Sequence, residues 1–116
     1  MNLLITSITI GCVIGISLGQ LLFKKAAMAL PATATWQHWV FNPWLIFALA
    51  LYGITTLVWI WVLRHVPLHL AYPFMGLAFV IVPCLGWLFL GESIQTPTIL
   101  GGILIILGIT IASRAS

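Results

Sequence analysis

Residues 3–25 read LLITSITIGCVIGISLGQLLFKK, an uncharged apolar run closed by a pair of lysines. About 20 helical residues cross a hydrocarbon core of roughly 30 Å, so the run is a membrane span that ends where its charges begin. Working outward, three further runs of the same kind lie at 43–63, 68–90 and 97–113. The chain is 63% hydrophobic and 4% charged, with Glu92 as its one carboxylate side chain. That composition excludes a water-soluble domain. Backbone groups in lipid must bond within their own segment, and no alternating barrel-strand pattern is present. The sequence therefore predicts an all-α integral membrane protein, a single domain over 1–116 with four transmembrane helices.

No basic residue precedes the first run, and the run is longer than a signal core, so it reads as a retained span. The connections are short except for 24–42, which carries Trp36 and Trp39, with Trp44 just beyond. Tryptophan favours the headgroup layer, and this stretch is expected to lie along the interface. Four spans put Arg64 and Arg114 on one side and Lys24, Lys25 and Glu92 on the other, a two-against-two tie in basic residues that leaves orientation undecided. Cys12 and Cys84 have no ligand spacing around them, so neither a metal nor another cofactor is expected. A net charge of +3 is too small for a nucleic-acid surface. There is no nucleophile–base pair and no phosphate loop, which argues against an enzyme.

Glycines 11, 15 and 19 recur every four residues and form a stripe permitting close helix approach. Roughly opposite lie Thr6, Thr9, Ser17, Gln20 and Lys24, a polar face running from mid-membrane to the interface. Serine and threonine hydroxyls in spans commonly bond to their own backbone, which is the expectation for Thr6 and Thr9. Gln20 and Lys24 need stronger partners. The third run contains Pro73 and Pro83, which favour kinks, and Tyr72, whose hydroxyl seeks a partner when buried. In the fourth, Gly101 and Gly108 share a face that is otherwise aliphatic, suited to helix–helix contact.

These residues resemble the small multidrug resistance family within the drug/metabolite transporter superfamily. The likeness covers nearly the whole chain: four short spans, a lysine ending the first, VPLHLAYPF at 66–74 opening the third, and GGILIILG at 101–108 in the fourth. It implies a dimer joined through the last helix at Gly101 and Gly108, and a substrate chamber lined by Tyr72. One departure matters. The multidrug exporters carry a glutamate in the first span, and the matching position here is Ile16. Without an acid in any span, a proton or a lipophilic cation has no counter-charge.

The chain is more similar to the paired small subunits proposed to flip undecaprenyl phosphate-aminoarabinose. Gly19, Gln20, Leu21 and Lys24 match their Gly-Gln-Leu-x-x-Lys pattern, and Val66, Pro67, Ala71, Tyr72 and Pro73 match the opening of their third span. Glu92 stands in the matching turn before the fourth. The resemblance implies translocation of a polyprenyl-phosphate sugar across a bacterial inner membrane by a homodimer, or by a heterodimer with a homologous small subunit. Such a lipid is an anion with an apolar tail, and an acid-free cationic groove suits it. Lys24 is the expected phosphate ligand, with Gln20 and Ser17 beside it, Tyr72 lining the chamber, and Lys25 and Arg64 adding charge. Basic residues at span ends also simply snorkel to lipid phosphates. Glu92 is expected to cap the fourth helix or to pair with a lysine. An exporter borrowing a carboxylate from a partner, and a non-transporting subunit of a glycosyltransferase complex, are the competing readings.

Overall fold

The computed structural model describes residues 2–114, so residues 1 and 115–116 of the expected 1–116 domain lie outside the described residues. The secondary structure described is helical throughout: α1 (Leu3–Ala29), α2 (Trp36–Val40), α3 (Pro43–His65), α4 (Leu68–Ala71), a 3-10 segment (Tyr72–Leu77), α5 (Ala78–Leu90) and α6 (Thr96–Ala112). Three helical stretches, Leu3–Ala29, Pro43–His65 and Leu68–Leu90, are long and apolar enough to cross a membrane, and Thr96–Ala112 is a shorter apolar helix. At 1.5 Å per residue α6 is about 26 Å long, a little under the ~30 Å core.

Local chemistry sets the ends. The Asn2 side chain accepts from the Ile5 amide at 2.8 Å and caps α1. Asn42 does more. Its Oδ1 accepts from the amides of Trp44 and Leu45, and its Nδ2 donates to the Ala26 carbonyl at 2.8 Å. One buried side chain thus caps α3 and ties it to the last turn of α1. Pro43, at the first position of α3, lacks an amide that the cap would otherwise have to satisfy. Gly91 ends α5 with φ at 70°, a left-handed turn that glycine adopts without a Cβ penalty.

Helix α1 is central, packed chiefly against α3 on one side and along α5 on the other, while α6 rests on the 3-10 segment and α5. At the α1–α3 seam a Cβ on Gly15 would stand 2.9 Å from Thr55 Oγ1, so the two helices meet where only a hydrogen fits. Cys12, Val62, Val66, Leu70 and Ala71 form the buried cluster near the opposite end from Asn42. The molecule measures 50 × 36 × 17 Å, and its radius of gyration is 16.2 Å. A compact chain of this length would have about 13 Å, and 17 Å is under two helix diameters. The helices form a thin slab with two open faces, and α6 has no buried residue.

The structure departs from the sequence reading in three places. Helix α1 continues past Phe23 to Ala29, carrying both lysines on helical backbone. The third run is broken into α4, the 3-10 segment and α5. Pro73 lies in the first turn of the 3-10 segment, where a missing amide costs little, whereas Pro83 sits within α5 and supplies no N–H to the carbonyl of Phe79. Of the glycine stripe, Gly15 alone is at a close approach; a Cβ on Gly11 or Gly19 would meet nothing within 4 Å.

Candidate functional site

The C-terminal half of α1 faces α5, the helix that carries Pro83, and the turn after it. The space between them is a groove of about 620 Å³. Gln20 and Lys24 line it from α1, Pro83 and Gly86 from α5, Glu92 and Ser93 from the turn, and Thr98 from α6. Gln20 and Lys24 are one helical turn apart and both exposed, so a carboxamide and an ammonium face one opening.

A second cavity of about 410 Å³ adjoins the first and shares Gln20, Val82 and Pro83 with it. Its remaining lining is Ile16, Ala78 and Phe79, so the polar groove passes at Gln20 into an apolar one. Ile16 therefore sits in that apolar lining, at the position where the multidrug exporters carry their acid. The combined space is amphipathic: Lys24 and Glu92 border one cavity, and Ile16, Ala78 and Phe79 the other.

The turn before α6 adds what the sequence reading placed elsewhere. Gln95, not Glu92, is the residue preceding α6, and it makes no side-chain cap. The Glu92 amide donates to the Gly86 carbonyl at 3.2 Å, and the carboxylate folds back over Gly86, whose imagined Cβ would lie 3.3 Å from Oε1. Gly91, in the left-handed conformation, creates this reversal.

The other expected residues are placed apart from the groove. Ser17 is fully buried and its hydroxyl donates to the Val13 carbonyl at 2.8 Å. Thr9, also fully buried, donates to Ile5 in the same way. Lys25, next to Lys24, points to a different side, its Nζ 4.9 Å from the Trp44 ring centre. That pair borders a separate cleft with Met28 and Phe89. Tyr72 is exposed at the far end, beside the buried cluster, and Arg64 is exposed in the last turn of α3. On α6, Gly102 faces Val80, and Ile105 and Ile109 face Gly76. A Cβ on Gly101 or Gly108 would meet nothing within 4 Å among the described residues.

The model of the EamA-like transporter family matches residues 3–114. The chain belongs to the EamA-like transporter family. It is 42% identical over 96 residues to a probable 4-amino-4-deoxy-L-arabinose-phosphoundecaprenol flippase subunit ArnE of Pectobacterium atrosepticum, covering 80% of this chain and 83% of that one. It is 36% identical to the subunit of the same name in Aeromonas salmonicida, covering 78% and 80%. The Proteus mirabilis subunit is 31% identical, covering 85% and 88%. No solved structure matches. An EamA-like chain with three long apolar helices is a multi-pass transporter protein of the inner membrane, not an enzyme.

Proposed function

We propose that this chain is a subunit of a flippase that carries a polyprenyl phosphate-linked amino sugar across the inner membrane. The observation that carries the proposal is the continuity of the two cavities at Gln20. A headgroup phosphate fits the Lys24 end while the first isoprene units lie against Ile16, Phe79 and Val82, and the rest of the tail stays in lipid. Lys24 holds the phosphate as a compact charge, and Gln20 donates beside it. Arg64 and Tyr72, exposed at the other end, receive the headgroup in the second leaflet, and Lys25 adds positive potential near the groove mouth. The names of the relatives and the membership of a transporter family support the same cargo class.

The working unit is a dimer with four spans in each chain, α6 being the fourth and the contact, in the manner of the small multidrug resistance proteins. The slab is too thin to enclose a headgroup, and a Cβ on Gly101 or Gly108 of α6 would meet nothing within 4 Å among the described residues. Whether the second chain is a copy or a homologous subunit, the face is the same. Gly108→Leu is expected to shift the assembly to monomer in detergent and in lipid; unchanged association would remove α6 from the interface. Transport is tested in liposomes holding the purified assembly, with a labelled polyprenyl-phosphate amino sugar followed from one leaflet to the other. The expected result is assembly-dependent transfer, and no transfer above empty liposomes would reject the function.

A further inference from the structure

Glu92 is the chain's single carboxylate side chain, and the expected cap of α6 does not account for its position. It does not cap α6, and the left-handed Gly91 together with the Glu92–Gly86 backbone bond pins it over the groove. Lys24 and Glu92 therefore present one positive and one negative group to the same 620 Å³ space. From this juxtaposition we infer that the groove recognises a zwitterionic headgroup, with the phosphodiester at Lys24 and an ammonium at Glu92. The inference rests on the proposed function and deepens it: Glu92 selects lipids whose headgroup carries a free amine over lipids whose headgroup is neutral.

The layout gives the site a direction. Gln20 borders both cavities and stands one helical turn from Lys24, with Val82 and Pro83 of α5 lining the junction opposite it, so the phosphate, which bears the tail, belongs beside Gln20 and Lys24. The headgroup then extends toward the turn, where Ser93 and Thr98 border the space around Glu92 and can meet sugar hydroxyls. A buried Gly86 is what allows the carboxylate to lie flat on α5 and leave the groove open. An amine on a sugar and the ethanolamine of a phospholipid offer the same chemistry, and only the test separates them.

The test uses the assembly as purified from membranes, placed in liposomes with the labelled amino-sugar lipid or with the same lipid N-acetylated. The wild type is expected to prefer the free amine by about tenfold, the scale of one hydrogen bond to a charged partner. Glu92→Gln keeps size and polarity, and is expected to bring the two lipids within about twofold by losing the amine form alone. Gly86→Ala, which crowds the carboxylate, is expected to lower the preference partway. The Lys24→Glu/Glu92→Lys double variant is expected to stay inactive, because the tail then leads the phosphate to the wrong charge. Equal loss of both lipids in an assembled Glu92→Gln, no change in either, or recovery by the double variant would overturn the inference while leaving the flippase standing. Failure of the wild type on both lipids would instead reject the proposed function. Competition by phosphatidylethanolamine as strong as by the amino-sugar lipid would keep the ammonium contact and transfer the cargo to a phospholipid.

Discussion

Helix α1 has one closed side and one open side. Toward α3 it meets Thr55 across Gly15, and the Asn42 side chain bonds to its last turn. Toward α5 the same helix leaves two joined cavities, bordered by Gln20 and Lys24. Both sides draw on small and polar residues, yet with opposite results. On the α3 side the hydroxyl at the seam is consumed by the backbone: Thr55 donates to the Leu51 carbonyl. On the α5 side the longer side chains reach past their own helix into open space. A polar residue in a span is thus structural when its reach ends at its own carbonyls, and available for a ligand when it does not.

Variants can break that contrast. The largest effect is expected from Gly15→Leu, which drives a side chain into Thr55 and costs ~3 kcal/mol through overpacking; thermal melting in detergent should show loss of the folded form. Asn42→Ala removes a cap and a cross-helix bond together and is expected to cost ~2 kcal/mol, read as a lower melting temperature with the groove residues intact. Gln20→Leu acts on the open side. Its assembly is expected to match the wild type while translocation falls about fivefold, since a neutral donor to the phosphate is lost. The smallest effect belongs to Gly11→Ala, within about 0.5 kcal/mol, because the added methyl has nothing to strike. A Gly11→Ala protein as damaged as Gly15→Leu would mean that the whole stripe, and not one residue of it, makes the seam.

Much of this was legible in the run lengths. Apolar length and the near absence of charge dictate helical spans, and the lysine pair marks the exit of the first. The adjacency of Gln20 and Lys24 followed from helical spacing alone. What spacing could not give was which way the polar face of α1 turns. Thr9, Ser17, Gln20 and Lys24 share a sector on a helical wheel, but neighbouring helices cover the first two and leave the last two open. Periodicity fixes angles between residues on one helix and says nothing of where the neighbours stand. The fold-back of Glu92 was hidden for a related reason: it depends on the backbone sign at Gly91 and on the space above Gly86, both properties of three dimensions. The cross-helix bond of Asn42 joins residues 16 apart in sequence, beyond the reach of any local pattern.

The central claim is that Lys24 holds the lipid phosphate, and one comparison tests it most directly. Translocation of the labelled polyprenyl-phosphate amino sugar is measured for the wild type, Lys24→Ala, Lys24→Arg and Arg114→Ala, each shown first to insert and assemble. Lys24→Ala is expected to lose tenfold or more, the scale of a charge-assisted contact to phosphate. Lys24→Arg is expected to recover part of the rate, its planar guanidinium replacing a compact ammonium imperfectly. Arg114→Ala removes an equal charge from an exposed end and is expected to stay within about twofold of the wild type. An assembled Lys24→Ala protein that flips the lipid at the wild-type rate would contradict the account and leave Lys24 an interfacial anchor.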